Sequence, residues 1–253
     1  MNAAQKSLSA FKTSYNREKL KTRIVHIGFG AFYRAHQAVC TNDLAENYRS
    51  DWGYCVASMR SSEKIEQLRR QNHLYSVVEK DKNINNKKII SIITKSVHGK
   101  DGSLPIVEEM INEDVAIISM TITEKGYCYF PSSKNLNFEH PDIKHDIKYP
   151  ELPKSMLGII LLAIKKRKAL GRKPFSVLSC DNIPSNGKLV KKILLQLARK
   201  QDTEIAHYIE NNISFPSTMV DKIVPAMTQH AINESNNILG YKDDLVIETE
   251  PFF

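Results

Sequence analysis

Two rhythms alternate along this chain. Short runs of apolar and β-branched residues at 24–27, 52–57, 115–121 and 175–179 read as buried strands. Between them apolar residues recur at helical spacing: Ala35, Ala38 and Val39; Ile65 and Leu68; Met156, Leu157, Ile160, Leu161 and Ile164; Leu189, Val190, Ile193, Leu194 and Leu197. The spacing predicts helices over 35–48, from Ser61 or Ser62 (as cap) to 70, over 105–110 and over 153–170, and one capped by Asn186. Pro153 suits the first turn of the long helix and Gly171 its end. A short helix is expected at 204–210 and a last strand at 245–253. Strands alternating with helices predict an α/β fold.

Two stretches interrupt the alternation. Residues 74–79 and 89–96 read as strands joined by the lysine- and asparagine-rich 80–88, a hairpin-like excursion. Residues 130–153 hold Pro131, Pro141, Pro150 and Pro153 and read as turns. Residues 1–20 are polar and weakly patterned, an N-terminal arm ahead of a domain over 21–253.

The first strand ends abruptly at Gly28 and Gly30, and a helix follows. Strand, glycine turn and helix open a dinucleotide-binding βαβ unit. Gly28 would allow the tight turn and Gly30 would let the backbone approach a pyrophosphate. Tyr33 stands where a third glycine is expected, and on spacing alone an ordinary turn is an equal reading. No acid ends the second strand, which runs into Ser58, Met59 and Arg60. Arg60 suits either a phosphate contact or a stack against adenine, so the residues leave NAD and NADP open. Thr123, Glu124, Lys125, Gly126 and Tyr127 leave another strand end, where a turn with Gly126 at positive φ is one reading.

Charge adds one constraint. Lys and Arg total 36 against 28 Asp and Glu, a net +8 that favours anionic ligands. The basic residues are dispersed without interleaved aromatics, which disfavours nucleic acid. The densest run, 165–168, ends a helix and complements its dipole. No apolar run spans a bilayer and the N-terminus lacks a secretory core, so no membrane partner and a cytoplasmic location are expected. Cys40, Cys55, Cys128 and Cys180 form no zinc or disulfide pattern, and Cys55 and Cys180 read as core thiols. His140 and His145 have no third ligand at metal spacing, so no metal is expected and local hydrogen bonding suits them.

The run G-F-G-A-F-Y-R-A-H at 28–36 resembles the G-x-G-x-F-x-R-A-H signature of the long-chain mannitol dehydrogenase family. T-I-T-E-K-G-Y at 121–127, I-K-H-D-I at 143–147, S-C-D-N-I-P-S-N-G at 179–187, F-P-S-T-M-V-D-K-I-V-P at 215–225 and E-P-F at 250–252 are similar to its fructuronate reductase (D-mannonate oxidoreductase) branch. The resemblance implies a Rossmann-type doubly wound sheet with hairpin and loop insertions, and NAD as cofactor. It implies cofactor contacts from Gly28, Phe29, Gly30, Ala31, Phe32, Arg34, Arg60 and Thr123. Asn182 aligns with the asparagine that donates a hydrogen bond to the reacting oxygen, and an amide N–H there would stabilise a developing alkoxide. Asp221 and Lys222 fall on the substrate site. Lys222 stands where the family usually has arginine, keeping the charge but losing the planar fork.

The implied activity is hydride transfer between NADH and the ketone of D-fructuronate to give D-mannonate, with a small sugar acid as the partner molecule. A mannitol, altronate or arabinitol enzyme is the near alternative, and a non-catalytic nucleotide-binding module the alternative from another class. Family members continue past E-P-F into a helical domain whose K-x-x-x-x-N-x-x-H motif carries the catalytic lysine, and no such motif occurs in this sequence. The expectation is a cofactor domain with little turnover by itself, its second domain absent or separately encoded.

Overall fold

The computed structural model describes residue 8 and residues 11–59, 62–81, 84–100, 102–220 and 222–251. Strand β1 (Lys21–Ile27) leads through the glycine turn into α1 (Ala31–Ala35) and α2 (Gln37–Tyr48), and β2 (Trp52–Ser58) precedes α3 (Glu63–Arg70). The hairpin β3 (Tyr75–Asp81) and β4 (Ile84–Ile90) comes before β5 (Ile93–His98), α4 (Leu104–Ile111) and β6 (Ile117–Met120). A small hairpin, β7 (Tyr129–Phe130) with β8 (Asn135–Leu136), is followed by α5 (Pro141–Lys148), α6 (Met156–Ala169) and β9 (Ser176–Ser179). Helices α7 (Asn186–Gln201), α8 (Thr203–Asn212) and α9 (Gln229–Leu239) lead to β10 (Ile247–Thr249).

Among the described residues the main sheet has the order β5-β2-β1-β6-β9, all parallel. This is the α/β Rossmann arrangement. The chain builds outward from β1 through β2 to β5, then crosses to β6 and β9 on the other side. The order therefore reverses between β1 and β6, and open α/β sheets place ligands at the carboxyl ends of the strands flanking such a point. A second sheet, β10-β3-β4, carries the hairpin.

Strand periodicity sorts the core into two layers. Val25, Ile27, Cys55, Ala57, Ile118, Met120 and Val177 face one side, with buried residues of α4, α6 and α7. Ile24, Tyr54 and Val56 face the other, with α1, α2, α3 and the hairpin. Each fully buried aliphatic side chain contributes about 1.5–3 kcal/mol. No helix among the described residues is long and apolar enough to cross a membrane.

Several boundaries differ from the sequence expectation. The helix expected over 35–48 begins at Ala31 and breaks at His36 (φ −126°, ψ −78°). Its first turn buries Tyr33 and Arg34, which carry no apolar signal. Residues 84–88 are not a linker but most of β4, an edge strand, where lysine and asparagine are well suited. The run 89–96 divides, since 89–90 end β4 and β5 returns to the main sheet. The turn-rich region contains α5, where His140 caps by accepting from Asp142 N. Pro153 precedes α6, whose cap is Ser155: its Oγ accepts from Gly158 N at 3.0 Å. Gly171, at φ +64°, follows its end.

Ser62 precedes α3 without a side-chain capping bond, and Ser61 lies outside the described residues. Ser185, not Asn186, occupies the cap position of α7. Within the described residues the last strand covers Ile247–Thr249, and residues 252 and 253 of the expected strand lie outside them. Arg167, read as part of a solvated basic run, is 2% exposed and donates to the carbonyls of Met110, Asn112, Val115 and Lys173. Within the expected arm, Tyr15 Oη pairs with Ser91 Oγ at 2.7 Å and Arg17 Nε donates to Ser91 O at 3.0 Å.

Candidate active site

Gly28 and Thr121 leave the ends of β1 and β6 in contact. Gly28 has φ +108°, and a Cβ there would lie 2.2 Å from Thr121 O. Both the left-handed backbone and the close approach require glycine. Gly30 differs. Its φ is −82°, and among the described residues an added Cβ would meet nothing within 4 Å. Among the described residues no packing contact calls for a glycine at 30.

Tyr33, in the third-glycine position, lies 3.9 Å from the His26 ring at 15° between planes. His26 is fully buried, with Nδ1 2.8 Å from Ser119 Oγ and Nε2 3.0 Å from Thr121 Oγ1. Burial lowers its pKa to about 3, so the ring is neutral near pH 7. An aromatic layer thus separates α1 from β1 where a glycine would let them touch.

The residues expected around the cofactor divide. Ala31 and Phe32 are half-buried at the start of α1, with Phe32 stacked on His36 at 5.2 Å. The Phe29 and Arg34 side chains turn inward. Phe29 meets Tyr75 edge-on, and the Arg34 guanidinium lies 5.3 Å over the Phe29 ring and donates to Leu245 O at 2.6 Å. Tyr75 Oη in turn donates to Arg34 O at 2.8 Å. The physical reason is that the segment leading into β10 passes α1 and leaves the buried Leu245 carbonyl in need of a donor. These side chains brace the glycine turn from behind. Arg60 and Asp221 lie outside the described residues.

Lys222 belongs to the stretch between α8 and α9, whose described residues 213–220 and 222–228 carry no regular element. Its Nζ donates to Ala35 O at 3.0 Å. Burial lowers its pKa, and burial followed by the Lys222 charge lowers that of His36. Thr218, earlier in this segment, donates to Ser179 O at 2.8 Å and accepts from the buried Asn186 at 2.9 Å.

Asn182 is exposed directly after β9. Beside it the Asp181 carboxylate accepts from Ile122 N at 3.0 Å, Thr123 N at 3.1 Å and Tyr127 Oη at 2.5 Å. Burial and then Asp181 push the Tyr127 pKa up. Positive φ in this loop falls on Thr123 (71°) and Cys128 (52°) instead of Gly126, the position expected for it. The sequence by itself does not mark Asp181 and Tyr127 as site residues, although both sit inside the resembling runs.

Gly28, Gly30, Thr123 and Asn182 therefore gather at the carboxyl edge around the switch point. Over residues 22–253 the chain matches the model for the mannitol dehydrogenase Rossmann domain. It belongs to that family. It is 46% identical over 240 residues to an uncharacterized oxidoreductase of Escherichia coli, covering 94% of this chain and 49% of that protein. It is 42% identical over 250 residues to the D-mannonate oxidoreductase of the same organism, covering 97% and 51%. The fold matches a mannitol 2-dehydrogenase of Pseudomonas fluorescens solved with NAD and D-mannitol, at TM-score 0.90 and 32% identity, covering 94% of this chain and 49% of that one. The chain thus spans about half the length of the relatives it matches. Family and fold make it a Rossmann domain of the NAD-dependent dehydrogenase type.

Proposed function

We propose that this chain is the cofactor-binding part of an NAD-dependent oxidoreductase acting on a sugar acid, reducing the ketone of D-fructuronate to D-mannonate. The observation that carries this reading is that no described residue comes within 4 Å of a Cβ placed on Gly30 at the switch point, with Thr123 and Asn182 at the neighbouring strand ends. In this reading the pyrophosphate lies against the turn at Gly28 and Gly30, beside Ala31 and Phe32. Bound NADH supplies the hydride. Asn182 donates its amide N–H to the ketone oxygen and stabilises the charge that grows there as the C–H bond forms. The oxygen then takes a proton from a general acid, and the residues assigned here do not include one. Asp221 and Lys222 meet the substrate, with the Lys222 ammonium facing its carboxylate.

The 42% identity to a D-mannonate oxidoreductase supports a sugar acid, and the net +8 charge agrees with an anionic substrate. A polyol is the second reading, supported by the likeness to a mannitol 2-dehydrogenase. The test is titration of the chain with NADH, read by quenching of Trp52 and by nucleotide fluorescence, followed by saturation-transfer NMR of D-fructuronate and D-fructose on the NADH-loaded protein. Saturable NADH binding with transfer to D-fructuronate alone is expected. A folded chain that binds no NADH overturns the reading, and transfer to D-fructose alone moves the substrate to the polyols.

A further inference from the structure

Thr123 holds φ +71° and ψ +157°. That region is essentially reserved for glycine, and a β-branched side chain there is strained. Such a conformation persists only where its surroundings impose it. Here a carboxylate grips the loop from outside, while Gly126 N donates to Thr123 O at 3.0 Å from within it. Asp181 Oδ1 accepts from Thr123 N at 3.1 Å and Oδ2 from Ile122 N at 3.0 Å, so consecutive amides of the strained loop are gripped by the two oxygens. Tyr127 Oη, 2.5 Å from Oδ2 and 2.6 Å from Ser179 Oγ, locks the carboxylate from the far end of the same loop. On its own strand end Asp181 is anchored as well: its carbonyl accepts from Ile183 N at 2.7 Å and from Asn186 Nδ2 at 3.1 Å.

The clamp spans the site. On one side is the loop that begins at Thr121, whose carbonyl Gly28 packs against. On the other is the turn that presents Asn182. We propose that Asp181 is a positioning residue that forces Thr123 into a glycine-type conformation and so sets the separation between the cofactor turn and Asn182. This rests on the cofactor reading above. A carboxylate suits the task because it accepts from three donors at once, and its hydrogen bonds are stronger than those of a neutral amide.

The experiment is a double-mutant cycle on the full chain with D181N, T123G and D181N/T123G, reading NADH affinity, the fluorescence enhancement of bound NADH, and Tm. In D181N an NH₂ replaces one acceptor and at least one loop amide loses its partner. NADH affinity should fall about tenfold. T123G removes the strain and should raise Tm by about 3 °C or more, and its own NADH affinity is the reference for the double variant. Because glycine adopts the loop conformation without being forced, D181N should cost T123G no more than half, on a logarithmic scale, of the affinity it costs the parent, and should leave the fluorescence enhancement of T123G in place.

A D181N protein that binds like the parent overturns the proposal. So does a T123G protein with lowered Tm, or a D181N step that costs T123G as much affinity as it costs the parent. If D181N does not fold, a folded, NADH-binding double variant supports the proposal and an unfolded one overturns it. If the parent binds no NADH, the cofactor reading fails, and the Tm cycle alone decides whether Asp181 imposes the Thr123 conformation.

Discussion

Tyr33 lies flat on His26, with ring centroids 3.9 Å apart and planes 15° from parallel. The pair fills the space between β1 and α1, and both side chains are 0% exposed. Replacing Tyr33 by glycine restores the usual third glycine of a dinucleotide turn but empties a core already built around an aromatic ring. The loss should be about 3–5 kcal/mol, as for other large-to-small core changes, read by urea unfolding.

His26 makes stability depend on pH. Its folded pKa of about 3 lies below the unfolded value near 6.5, so the unfolded state takes up the proton first. The contribution is complete above pH 6.5 and is lost as pH falls from there towards 3, at about 1.4 kcal/mol per pH unit. Urea midpoints measured at pH 7, 6 and 5 should decline, and in His26→Gln the decline should be shallower.

The two glycines of the turn should fail differently. Gly28→Ala puts a Cβ 2.2 Å from Thr121 O at φ +108° and should cost about 3 kcal/mol or more. Gly30→Ala meets none of the described residues within 4 Å at an ordinary φ, and its effect on unfolding should stay within about 0.5 kcal/mol. NADH affinity should nevertheless fall in Gly30→Ala. Thermal unfolding alongside nucleotide titration separates the two effects.

Arg34 is a brace, and its loss should be felt at β10. Arg34→Met leaves the Leu245 carbonyl without the donor it now has at 2.6 Å, a cost of about 1–3 kcal/mol. Amide exchange should rise across Ile247–Thr249, which pair with Val77, Val78 and Glu79. Unchanged exchange there would show that β10 does not depend on Arg34.

Cofactor choice is the simplest measurement. The proposed NAD reading expects NADH to bind more tightly than NADPH in parallel fluorescence titrations. Preference for NADPH would assign Arg60 to a phosphate.

Reading from the sequence went furthest where burial is two-sided. The central strands sit in a sheet covered on both faces, so their apolar runs are continuous and their positions plain. It failed where an element buries few apolar side chains. Helix α9 buries only Ser235 among its residues and shows no stripe. Strand β4 lies on a sheet edge and reads as polar. Arg167 resembles its exposed neighbours, because nothing nearby in sequence announces the four carbonyls that surround it.

By itself the sequence determined the alternation of strands and helices, the glycine turn after β1, and the motif runs that carry the family. These are local properties: periodicity, backbone permissiveness at Gly28, residue types at short spacing. Only the tertiary structure decided which side chains face the site. Arg34 and Phe29 turn inward because Leu245, just ahead of β10 and more than two hundred residues later, presents a carbonyl beside α1. Asp181 acquired its clamp because β6 and β9 are neighbours, which brings the amides of Ile122 and Thr123 to a carboxylate 58 or 59 positions away in the chain. Hydrogen bonds at that separation depend on strand order, and strand order is a property of the folded sheet.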